Sequence, residues 1–158
     1  MPKIDLWFDD GYAEVFTKIR PLLKEYDRVG ILAIVTSWVG KKGFMTIADI
    51  RILLEEGWKV ASHSVTHHDL TELSPEEIER ELRGSKEWIE EHLSIEPIGF
   101  VAPFNKITYT QKKLALKYYK FVRSPDVLHF HANWGWVMNR RRAVYEWTQL
   151  RRILSRGI

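Results

Sequence analysis

The sequence contains no cysteine, which excludes disulfides and thiolate metal sites, so any metal must be held by imidazole and carboxylate. It has no apolar run long enough to cross a membrane, and a membrane partner is not expected. Charge of either sign is not in strong excess: 24 Lys and Arg against 21 Asp and Glu leave a formal charge of +3. That is too mild to single out nucleic acid as a partner. The late arginines Arg140, Arg141, Arg142, Arg151, Arg152 and Arg156 read as a solvated helix face. No basic region precedes an apolar stretch at the amino terminus, so a cytoplasmic location is the expectation. No linker, repeat or low-complexity tract divides the chain, and residues 1–158 are expected to form a single domain.

What the sequence does have is alternation. Strand-like segments at 4–8, 31–36, 58–62, 98–101, 120–123 and 127–130 alternate with helix-like ones at 13–26, 46–56, 74–92, 108–119 and 142–155. Pro21 predicts a kink in the first helix. Ser74 with Glu77, and Thr108 with Gln111, have the spacing of capping boxes, and Thr46 is a candidate cap. The pattern predicts an α/β fold with mainly parallel strands. In such folds chemistry collects at the carboxyl ends of the strands. Four reactive-looking groups fall there: Asp9-Asp10, His63, Pro103-Phe104 and His131.

Adjacent carboxylates repel unless a cation or hydrogen bonds offset them, and Gly11 lets the chain turn sharply just after Asp9-Asp10. His63 and His67 are four residues apart, which on a helical turn would place both imidazoles on one face. Two imidazoles and one carboxylate leave coordination positions open for water and substrate, as a hydrolytic metal site requires.

These residues match a known family. Phe8-Asp9-Asp10-Gly11 resembles the first motif of the polysaccharide deacetylases, carbohydrate esterase family 4. His63-Ser64-Val65-Thr66-His67, continuing to Asp69-Leu70, is similar to their second motif, and Phe100-Val101-Ala102-Pro103-Phe104-Asn105 to a variant third motif. The resemblance implies a distorted, incomplete (β/α) barrel. It implies one divalent ion, commonly zinc, on Asp10, His63 and His67, with Asp9 as the base for the water that the metal activates. It further implies the Phe104 N–H as an oxyanion donor and a late histidine, here His131, as the acid for the leaving amine. The substrate would be an N-acetylated carbohydrate or another small linear or cyclic amide. A relative that binds sugar without turnover is the alternative.

The sequence departs from the family where an arginine usually orients the catalytic aspartate, since that position is Val101. Arg123, at the end of a neighbouring strand-like segment, is the candidate replacement. His129 is the rival to His131, and Trp134 and Trp136 are candidate substrate platforms.

Overall fold

The computed structural model describes residues 5–123, 129–130 and 140–156, with side chains over 5–123 and 148–156. Among these residues four strands make one parallel sheet, β1 (Trp7–Asp10), β2 (Ile31–Ile34), β3 (Lys59–Ser62) and β4 (His129–Phe130), in the order β3-β2-β1-β4. Beyond β3 the sheet thins to two single parallel bridges, Ser62 with Phe100 and Phe100 with Val122. The expected strands at 98–101 and 120–123 are thus reduced to one bridged residue each. Pro97 and Pro103 bracket the first of them, and proline has no N–H to extend a ladder. The last bridged segment curls back over β1: the Phe121 and Trp7 rings meet edge to face at 5.9 Å. The result is a curved parallel sheet that does not close among the described residues, an incomplete (β/α) barrel.

The helices follow from local sequence. A first turn at Ala13 leads into a π-helical stretch, Val15–Ile19, and then α1 (Arg20–Glu25). The Arg20 N–H donates to the Val15 carbonyl, five residues back. The disturbance expected from Pro21 is absorbed as this wide turn, because the proline cannot donate to the preceding turn. α2 (Ile47–Glu55) is closed by a capping box between Thr46 and Asp49, and α3 (Pro75–Leu93) by one between Ser74 and Glu77. α3 buries Ile78, Leu82, Ser85, Ile89 and Leu93, a stripe at helical spacing. α4 (Tyr109–Ala115) starts from the Thr108–Gln111 box and is shorter than expected, and α5 (Arg140–Ser155) ends the described chain.

Alternation along the strands separates two of the three core clusters among the described residues. One set (Leu6, Phe8, Leu32, Ile34 and Val60) packs with Ile50, Leu53, Ile89 and Leu150 from the helices. The opposite set (Trp7, Ile31, Ala33, Ala61 and Val101) forms a smaller cluster in the concavity. No helix among the described residues is long and apolar enough to cross a membrane.

Candidate metal centre and its neighbouring carboxylate

β1 carries both acids to its carboxyl end. The strand runs through Asp9 and Asp10 rather than stopping before them, and both carboxylates are buried. Asp10 leaves the extended conformation at φ 74, followed by Gly11 at φ 85. Strict alternation would send neighbouring side chains to opposite faces, and the left-handed turn at Asp10 redirects its carboxylate along the strand ends.

His63 follows β3 directly, and its Nδ1 lies 2.8 Å from the Val101 carbonyl oxygen. That oxygen only accepts, so Nδ1 carries a proton, and Nε2 is the ring nitrogen that faces Asp10. His67 does not sit one helical turn away, as its spacing predicts. The segment after β3 is a bent loop in which Ser64 has φ 69 and His67 φ 65. The loop nonetheless brings the two rings to 4.8 Å, edge to face. Each Nε2 stands 3.3 Å from Asp10 Oδ1, and the three donor atoms lie within 4.8 Å of one another.

This donor set fits a divalent ion. Two donors about 2.0–2.1 Å from a tetrahedral ion stand about 3.3 Å apart, the separation found here for both histidine–aspartate pairs. In the neutral form that metal binding requires, Nε2 offers a lone pair, and a cation placed between it and the Asp10 oxygen would attract both. His63 also has the outer hydrogen bond, to a backbone carbonyl, that fixes the tautomer of a metal-bound histidine.

Asp9 stands beside this set with a different partner. Arg123 Nη1 donates to Asp9 Oδ1 at 2.6 Å and Nη2 to Oδ2 at 2.7 Å, a two-point contact between fully buried side chains. Nη2 also donates to Asn105 Oδ1 at 3.2 Å, and the guanidinium lies over the Trp7 ring at 5.2 Å. The place of the missing arginine is therefore filled from the next bridged segment, while Val101 contributes its carbonyl to His63.

Phe104 lies on the loop after Phe100 at φ 57, with Asn105 at φ 54. The residue is 60% exposed, and its ring sits edge to face against His67 at 4.8 Å. The Trp38 ring also lies against His67, at 5.1 Å, a neighbour not anticipated from sequence. Of the seven non-glycine residues at positive φ among the described residues, five (Asp10, Ser64, His67, Phe104 and Asn105) surround this centre. Such conformations cost about 1–3 kcal/mol each and gather where the surroundings enforce them. His131, Trp134 and Trp136 lie outside the described residues, and of His129 the backbone alone is described, in β4.

The sequence profile of the family described as polysaccharide deacetylase matches residues 2–120. An uncharacterized 30.6 kDa protein of Geobacillus stearothermophilus is 31% identical over 116 residues, 72% of this chain and 42% of that one. The chain spans less than half the length of the curated relatives it matches. Among solved structures, a deacetylase of Streptococcus pyogenes in complex with acetate superposes with TM-score 0.72 at 20% identity, over 90% of this chain and 69% of that one. A polysaccharide deacetylase from Bacillus cereus superposes with TM-score 0.69 at 23% identity, over 81% and 45%. These two likenesses speak to the fold, whereas the profile spans most of the sequence and includes every residue built into the centre above except Arg123: the chain belongs to the polysaccharide deacetylase family.

Proposed function

We propose that this chain is a metal-dependent hydrolase that removes N-acetyl groups from a carbohydrate. The observation that carries the reading is the pairing of a three-donor candidate cation site, with each histidine Nε2 3.3 Å from Asp10 Oδ1, and a buried carboxylate held by two hydrogen bonds from Arg123.

A divalent ion on Asp10, His63 and His67, commonly zinc in this family, supplies Lewis acidity toward the acyl oxygen and the attacking water. Asp9 accepts the proton as that water adds to the acyl carbon. Arg123 keeps the Asp9 carboxylate in one orientation and compensates its buried charge. The Phe104 N–H is assigned to the oxyanion. The carbon–nitrogen bond then breaks, and His131 is assigned the proton that the departing amine takes up. The products are acetate and an amino sugar.

The test combines elemental analysis of the purified protein with acetate release from chito-oligosaccharides. One ion per chain is expected, with acetate release that stops in Asp9→Asn while the ion stays bound. Release at the wild-type rate by Asp9→Asn, or a metal-loaded protein that deacetylates no sugar, overturns the proposal. Hydrolysis of a linear or cyclic amide in the same screen would keep the chemistry and replace the substrate.

A further inference from the structure

The loop that carries His67 is held from outside by one side chain of α3. Glu81 Oε2 accepts from the backbone N–H of Val65 and of Thr66, each at 2.9 Å, and Oε1 accepts from the Thr66 hydroxyl at 2.7 Å. The same hydroxyl oxygen lies 2.7 Å from His68 Nδ1. A single carboxylate thus ties down the two residues between the left-handed turns at Ser64 and His67.

The neighbouring positions on α3 fit the same loop. Gly84 leaves room for Val65: a Cβ at Gly84 would stand 3.2 Å from Val65 Cγ2. Ser85, one turn beyond Glu81, accepts from the Ser62 hydroxyl at 2.8 Å and lies 2.9 Å from the Tyr119 hydroxyl. Ser62 Oγ accepts from the Ser64 N–H at 3.3 Å, and Ser64 Oγ from the His67 N–H at 3.0 Å. Hydrogen bonds therefore run from the helix to both ends of the loop.

We propose that Glu81 is a positioning residue for the metal centre: it touches no donor atom, but it holds the strained loop in the shape that aims His67 at Asp10. Left-handed conformations at Ser64 and His67 are unfavourable for residues with a Cβ, so the loop relaxes if its anchors are removed. Relaxation swings His67 away while Asp10 and His63 stay on their strand ends. The inference rests on the reading of Asp10, His63 and His67 as metal donors.

The experiment is zinc titration of the metal-free protein by calorimetry, in wild type, Asp10→Ala, Glu81→Ala and Glu81→Gln. Glu81→Ala is expected to weaken zinc binding by about 10–100-fold, the usual effect of losing an outer partner of a metal ligand. Glutamine keeps one oxygen for the two N–H groups and turns its amide toward the Thr66 hydroxyl oxygen, so Glu81→Gln is expected to stay within about fivefold of wild type. Amide exchange at Val65 and Thr66 should speed up in Glu81→Ala and not in Glu81→Gln. A Glu81→Ala protein that binds zinc as wild type does overturns the proposal. So does a Glu81→Gln protein as weak as Glu81→Ala, because charge rather than hydrogen bonding would then be responsible. Wild type and Asp10→Ala binding zinc equally poorly would instead overturn the metal site itself. If Glu81→Ala does not fold, Glu81→Gln and Thr66→Val carry the test, with Thr66→Val expected to lose about fivefold through one hydrogen bond.

Discussion

The two faces of the parallel sheet are built for different purposes. The helix-covered face is large, aliphatic and aromatic, with Leu6, Phe8, Leu32, Ile34 and Val60 buried against the helices. The concave face mixes Trp7 and Ile31 with the small residues Ala33 and Ala61, and admits a buried ion pair between Asp9 and Arg123. Small side chains leave room for the guanidinium and for the loops that converge at the strand ends. Adjacent residues of one strand thus serve opposite ends: Phe8 contributes to stability and Asp9 to the site. Apolar burial is tolerant of small shifts, whereas a two-point contact between charged groups is directional. The face that stabilises the fold is therefore expected to tolerate repacking, and the concave face, which carries the proposed base, is not.

The largest expected effect tests this division within one dipeptide. Asp9→Asn is expected to lower turnover by about 10²–10⁴ and to leave zinc affinity near wild type. Phe8→Ala is expected to cost about 3–5 kcal/mol of stability with turnover per folded molecule unchanged. Chemical denaturation and steady-state kinetics on the two variants would measure both quantities. A Phe8→Ala protein that is fully stable but inactive would erase the distinction.

A second test asks whether the concave face is specialised for chemistry at the expense of stability. Arg123→Met strands a buried carboxylate and is expected to cost about 3–5 kcal/mol, as breaking a buried pair from one side does. Asp9→Leu combined with Arg123→Met removes both charges and is expected to recover most of that loss while staying inactive. If the double variant were no more stable than the single one, the pair would be stabilising in its own right. Urea midpoints of the three proteins decide between these outcomes.

The smallest effect lies at the rim. Lys106 and Thr71 hold the Asp69 carboxyl down to about 2, below its ordinary 3.8, and the Lys106 ammonium is 2.7 Å away. Because the folded value is depressed, the contact stabilises above about pH 4 and its contribution is lost as pH falls through about 2. Lys106 is 60% exposed, so salt weakens the pair. Asp69→Asn should flatten the stability profile between about pH 4 and 2 slightly, with no change in zinc affinity. Thermal melts across that range would show it.

What could be read from the sequence divides along the range of the interactions. The Ser74–Glu77 and Thr108–Gln111 boxes close within four residues, so local spacing was enough to place two helix starts. Thr46 was legible as a cap, but its box uses Asp49 where the usual pattern has Glu or Gln. Asp9, Asp10, His63 and His67 stood out because carboxylates and imidazoles at strand ends are chemically conspicuous. Their geometry did not: the spacing of His63 and His67 predicts a helical turn, whereas Ser64 and His67 are left-handed in a loop tied to α3 by contacts 15 and 16 residues away. Arg123 could be guessed from strand order alone, because the barrel's curl brings the later segment over β1. Glu81 could not be told from the other acids of α3. The small residues Gly84 and Ser85 beside it were the available sign that something packs closely on that side of the helix.

The pair between Asp9 and Arg123 joins residues 114 positions apart. All three candidate metal donors belong to the first 67 residues, whereas the arginine that steadies Asp9 comes much later in the chain. Contacts between distant positions form late, because the intervening chain must be ordered first. The candidate site thus divides by its dependence on folding: the loop that carries His67 is held by contacts within residues 62–81, whereas Asp9 is held across 114 positions. A competent base needs the sheet to have wrapped round on itself. The ion pair therefore depends on late assembly: on the function proposed above, Asp9 becomes a competent base when the far edge of the incomplete barrel arrives.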